Sequence, residues 1–107
     1  MIDKLFNSEE INEWNRSLNS EEIVPAKGYR RDVSVYPLVC YVNNIISCYL
    51  SKNAKPIVFF INRARIHMDD EPPIEEWKDY YKLVREYLDI MENHLKENGV
   101  DTTMLSE

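Results

Sequence analysis

Glycine is nearly absent from this chain of 107 residues, which has only Gly28 and Gly99. Hairpin turns and phosphate-cradling loops both need residues that tolerate positive φ or a close backbone approach. The scarcity therefore counts against an all-β fold and a nucleotide loop, and favours helices. Cysteine is also scarce, with Cys40 and Cys48 alone. Both fall in one predicted helix, where eight residues at about 1.5 Å rise separate their Cα atoms by roughly 12 Å, beyond disulfide reach. A disulfide-stapled scaffold is thereby excluded, and two reduced thiols suit a cytoplasmic compartment. Neither has a basic neighbour in sequence to lower its pKa, so both read as small packed hydrophobes and not as nucleophiles.

Histidine is limited to His67 and His94. No Glu-x-x-His or His-x-x-x-His pairing exists, so no cofactor and no metal are expected, and both read as surface histidines. Long apolar runs are missing too. The longest, Val33 to Leu50, is interrupted by Asn43, Asn44 and Ser47, too polar and too short to span a bilayer. Met1-Ile2-Asp3-Lys4 leads into no apolar stretch with a cleavage site, so no secretory signal is expected.

Hydrophobic residues make up 44% and charged residues 30%, a globular balance and not a disordered one. The length suits one domain over residues 1–107, able to bury a core without metal or disulfide support. Asn7-Ser8-Glu9-Glu10, followed by Ile11, Trp14 and Leu18, supplies a cap, an acidic first turn and an apolar stripe. Asn19-Ser20-Glu21-Glu22-Ile23 repeats that start, and Pro25 cuts it short. Val35, Leu38, Val39, Val42, Ile45, Ile46 and Tyr49 follow helical spacing, with Ser34 as candidate cap and Pro37 in the first turn.

Residues 56–68 fit a helical stripe through Ile57, Phe60, Ile61, Ala64 and Met68. They also nearly fit alternation, with Arg63, Arg65 and His67 outward. Helix is the expectation and a short strand at 57–66 the alternative; a strand would need the segment around Arg31 to Tyr36 as its partner. Pro72 and Pro73 then open the longest element, whose seam of Ile74, Trp77, Tyr81, Val84, Leu88, Met91 and Leu95 runs to Asn98-Gly99. Residues after Val100 read as a frayed tail. The expected fold is all-α, a bundle of about four helices, with residues 74–98 packed on residues 35–49.

Charge is unevenly spread. Residues 1–55 carry seven acids and seven bases, so the whole excess of −6 lies beyond them. Asp69, Asp70, Glu71, Glu75, Glu76 and Asp79 face only Lys78 over eleven residues. Projected on a helical wheel, Glu75, Asp79, Glu86 and Glu97 lie opposite the seam, with Glu76, Tyr80, Tyr87 and His94 on one flank and Lys78, Lys82, Arg85 and Lys96 on the other. Such a face can be merely solvated, laced by Lys82–Glu86 and Glu92–Lys96 pairs and suited to the helix dipole. Three more carboxylates, expected in a loop at Asp69-Asp70-Glu71, add repulsion at the same end, and tyrosines beside carboxylates are anchor chemistry.

The sign repels phosphate backbones and anionic lipid, so neither direct nucleic-acid binding nor membrane binding is expected. A basic protein is the natural complement. Two other chemistries fit the pattern less well. Asp69, Asp70 and Glu76-Trp77-Lys78 echo a metal-dependent nuclease or hydrolase, but Trp77 lies in the seam and Lys78 points away from Glu76. A helix-turn-helix around Asn53 to Pro56 would use Arg63 and Arg65, but its second helix opens on Ile57, Phe59, Phe60 and Ile61. Lys27, Arg30 and Arg31 suit a turn that salt-bridges the acidic helix. In physical type the chain resembles the small immunity proteins, antitoxins and inhibitors of bacteria and their mobile elements, without a shared motif. The expectation is a non-enzymatic inhibitor of a basic toxin, with nucleases first among targets. It would bind through Asp69, Asp70, Glu71, Glu75, Glu76, Asp79, Tyr80 and Tyr87 and occlude the target's active site. The rivals are a regulatory or adaptor subunit that offers an apolar helix face, and a small metal-dependent hydrolase.

Overall fold

The structure, a computed structural model, describes residues 5–24 and 35–106. Ser34, the Lys27/Arg30/Arg31 cluster, Pro25 and Gly28 lie outside the described residues. Four α-helices, two short 3-10 turns and no strand make up the described part, so the fold is all-α.

Helix α1 spans Ser8–Leu18; the Asn7 side chain accepts the Glu10 amide at 3.2 Å, and Ile11, Trp14 and Leu18 are buried. The repeated start at Ser20 yields a single turn. Its hydroxyl accepts the Glu22 amide and its carbonyl accepts the amides of Ile23 and Val24. Helix α2, Tyr36–Leu50, buries Leu38, Val39, Val42, Ile45, Ile46 and Tyr49, the stripe read from spacing. Val35 is its N-cap and offers no side-chain bond, with proline in the first turn.

Residues 56–68 are helical, within α3, Lys55–Asp70. Ile57, Val58, Ile61, Ala64 and Met68 form its buried stripe, and a four-residue turn folds it back on α2, which removes any need for a strand partner. The helix also takes in Asp69 and Asp70, which were expected in a loop. The physical reason is proline: Pro72 restricts only the residue before it, so the helix continues until Glu71 turns extended at φ −123°, ψ 87°.

The start of the long helix is also displaced. Ile74 is extended at φ −74°, ψ 162° and 47% exposed, so it lies outside the seam. A 3-10 turn at Glu75–Trp77 intervenes, and α4 runs Lys78–Glu97 with Tyr80, Tyr81, Val84, Leu88, Met91 and Leu95 buried. Two successive prolines hold the chain extended, and the first helical bond available is Trp77 N–H to the Ile74 carbonyl at 3.0 Å. Residues after Val100 are not frayed. Thr102 is buried, Asp101 accepts the Thr103 amide at 2.9 Å, and the 3-10 turn Thr103–Ser106 packs on α3.

The helices pack into a body 18 Å thick along its short axis. Helices α2 and α3 pair as a hairpin. The backbone of α4 comes closest to α3 and α1, and it reaches α2 through side chains such as His94 against Tyr49, ring centroids 6.1 Å apart. Packing of residues 74–98 mainly on residues 35–49 is corrected accordingly. No helix among the described residues is long and apolar enough to cross a membrane.

Candidate partner-binding surface

The acidic segment joins two helix ends. Asp69 and Asp70 occupy the last turn of α3, Glu71 is its C-cap, Glu75 and Glu76 sit in the 3-10 turn, and Asp79 lies in the first turn of α4. All six side chains are exposed. Glu75, Glu76 and Asp79 suit the positive end of α4. Asp69 and Asp70 face the negative end of α3, a placement that costs about 0.3–1 kcal/mol each.

Neutralisation from within is slight. Lys78 meets Glu75 at 2.7 Å, and the hydrogen bond with Glu75 pushes the Lys78 pKa up. Arg85 stands 3.8 Å from Asp69, with both side chains largely in solvent, where such pairs contribute little. Asp70, Glu71, Glu76 and Asp79 have no ion pair among the described residues. The nearby arginines are engaged elsewhere. Arg65 bonds Asp89 at 2.8 Å and Glu92, while the Arg63 guanidinium lies 5.9 Å from the Tyr41 ring centre.

The tyrosine shoulder is corrected. Tyr80 is 2% exposed and stacks edge-on against Trp77 at 5.2 Å; burial, then the neighbouring Tyr81 and Cys40, pushes its hydroxyl pKa up. It is not an accessible anchor. Tyr87 is half-buried against the core. His94, on the same flank, is no surface histidine: it lies against Trp14 with centroids 5.5 Å apart and faces Glu10 at 3.8 Å. Helix α1 docks at His94, and a projection that gave α4 one neighbour could not contain that contact.

Other apolar groups stand beside the carboxylates. Ile74, in the extended segment between Glu71 and Glu75, is exposed. A cleft of about 540 Å³, lined by Pro37, Tyr41, Arg63, Ile66, His67, Asp70 and Glu71, opens at the C-terminal end of α3. The tandem proline before Ile74 is the one sequence signal that could have placed it outside the seam.

Among the described residues, no group of three or more histidine, cysteine, aspartate and glutamate side chains is arranged to hold a metal ion. Both cysteines are free and half-buried, and desolvation pushes the Cys48 thiol pKa up, away from thiolate chemistry. The geometry presents an exposed negative surface with apolar side chains at its margin. No protein-family model, no curated protein and no solved structure matches the chain.

Proposed function

We propose that the chain is a stoichiometric inhibitor of a basic protein, of the immunity-protein or antitoxin type, acting in the cytoplasm, with a nuclease toxin as the favoured target. Asp69, Asp70, Glu71, Glu75, Glu76 and Asp79 dock on the target's cationic substrate site, and Ile74 and the half-buried Tyr87 supply apolar contact beside them. One observation carries the reading: six exposed carboxylates meet only two ion-pair partners among the described residues, both in solvent. Unneutralised charge raises encounter rates with a cationic surface and is screened by salt.

The test is capture of partners from an extract of the source organism at low and high salt, beginning with the product of any adjacent gene. The captured protein's action on nucleic acid is then titrated with this chain. A basic protein, released by salt and inhibited at one-to-one stoichiometry, is the expected result. A complex indifferent to salt supports the adaptor reading, in which an apolar face binds, and overturns this one.

A further inference from the structure

We propose that the exposed face of α3 is a dimer interface on which a second copy of this chain packs antiparallel. Helix α3 buries one stripe and leaves another uncovered. Lys55, Phe59, Arg63, Ile66 and Asp70 are all exposed and fall within about 40° of the Phe59 direction on the helix. Two of them are large and apolar, Phe59 at 49% and Ile66 at 41% exposure.

The ends of the stripe carry opposite charges, and each is at the wrong end of its helix. Lys55 stands in the first turn, where the dipole disfavours a cation, and Asp70 in the last, where it disfavours an anion. Neither has an ion pair among the described residues. An antiparallel second copy resolves both conflicts, because it sets Lys55 beside the partner's Asp70 and each charge at the favourable end of the neighbouring helix.

The apolar residues obey the same symmetry. Phe59 and Ile66 are equidistant from a two-fold axis between Asn62 and Arg63, as are Lys55 and Asp70, so one rotation matches both pairs at once. This is the self-complementary pattern of a two-fold dimer. Beside Phe59 lies an open groove of about 820 Å³, lined by Pro56, Val58, Val100 and Met104 among others, placed to receive the partner's Ile66. Arg63 leans towards Tyr41 and so leaves the axis clear of two facing guanidinium groups.

The proposal does not rest on the inhibitor reading, and of the acidic segment it uses Asp70 alone. Sedimentation equilibrium of the full chain up to about 200 µM tests it, a range that detects dissociation constants into the high micromolar. A reversible monomer–dimer equilibrium is expected, which Phe59→Asp abolishes while helical circular dichroism is retained. Lys55→Glu and Asp70→Lys should each weaken association about tenfold or more through like-charge contacts. Mixed in equal amounts, these two variants should recover dimer, because a heterodimer restores both opposite-charge pairs; a parallel arrangement, which already sets like charges together in the wild type, would show no weakening in either single variant. A wild-type monomer throughout the range, a dimer indifferent to Phe59→Asp, or a mixture no more associated than its components would overturn the proposal.

Discussion

Two helix stops in this molecule use the same backbone geometry with different residues. After α4, Gly99 takes φ 79°, and its amide and that of Val100 bond the carbonyls of Lys96 and Leu95 at 3.1 and 3.0 Å. After α2, Lys52 takes φ 60°, and its amide and that of Asn53 bond the carbonyls of Tyr49 and Cys48 at 3.2 and 2.9 Å. Glycine makes this turn without a Cβ penalty and lysine does not. Lys52→Gly should therefore raise stability by about 0.5–1 kcal/mol, after allowing for the greater chain entropy of glycine, as a shift in the urea midpoint. A second residue invites removal of an atom. Tyr49 is buried and its hydroxyl has no hydrogen-bond partner among the described residues, while burial pushes its pKa up. Tyr49→Phe should leave the thermal midpoint unchanged or raise it, because no bond is lost and a desolvated hydroxyl is relieved. A loss above about 1 kcal/mol would show that the hydroxyl is bonded.

Between elements, α3 is tied to α4 by Arg65, which bonds Asp89 and Glu92 from a half-buried position. Arg65→Ala should cost about 1–2 kcal/mol in chemical denaturation at neutral pH, since Glu92 keeps its charge with one partner fewer. The Lys96 hydrogen bond holds the Glu92 carboxyl below its ordinary value of 4.5; burial opposes it, and the hydrogen bond and charge of Arg65 add to the lowering. A depressed carboxylate pKa means that the folded form holds its proton less tightly than the unfolded one. The stabilisation is thus fully present above pH 4.5 and is lost as pH falls through the folded value. Denaturation midpoints at pH 6 and pH 3 should differ less in Glu92→Gln than in the wild type. Equal differences would remove Glu92 from the acid response.

The stripe from Leu38 to Tyr49 was legible because burial of one face imposes the helical period directly on residue type. The ambiguity at 56–68 persisted because Phe60, Ala64 and Met68 satisfy both periods until the hairpin with α2 decides. Tyr80 and His94 were misplaced for a different reason: Tyr80 is buried beside Trp77 and Cys40 and His94 lies against α1, tertiary contacts with no trace in the local pattern. The αL stop at Lys52 left no signal, because glycine, its usual mark, is not there. The carboxylates of the candidate site were legible as a charge imbalance. The apolar side chain beside them, Ile74, was not, since a hydrophobic residue in helical spacing reads as core.

Across the whole molecule, negative charge is concentrated where α3 meets α4, and in the proposed function it acts on a cationic partner. Repulsion within that segment should also be visible in the isolated chain. Replacing Asp69 with Asn removes a charge from the unfavourable end of α3 and only a weak contact to Arg85, so a gain of about 0.3–1 kcal/mol is expected at low salt, smaller at high salt. Such a gain, paired with weaker binding, is the signature of a side chain kept for recognition at the expense of stability. The most direct measurement is the association rate of the captured basic protein with the wild type and with the Glu75→Lys, Glu76→Lys, Asp79→Lys triple variant across a series of ionic strengths. The wild-type rate should fall steeply with salt and the variant should be about tenfold or more slower at low salt, the two converging as screening grows. Equal rates for the two proteins, flat across the salt series, would contradict it.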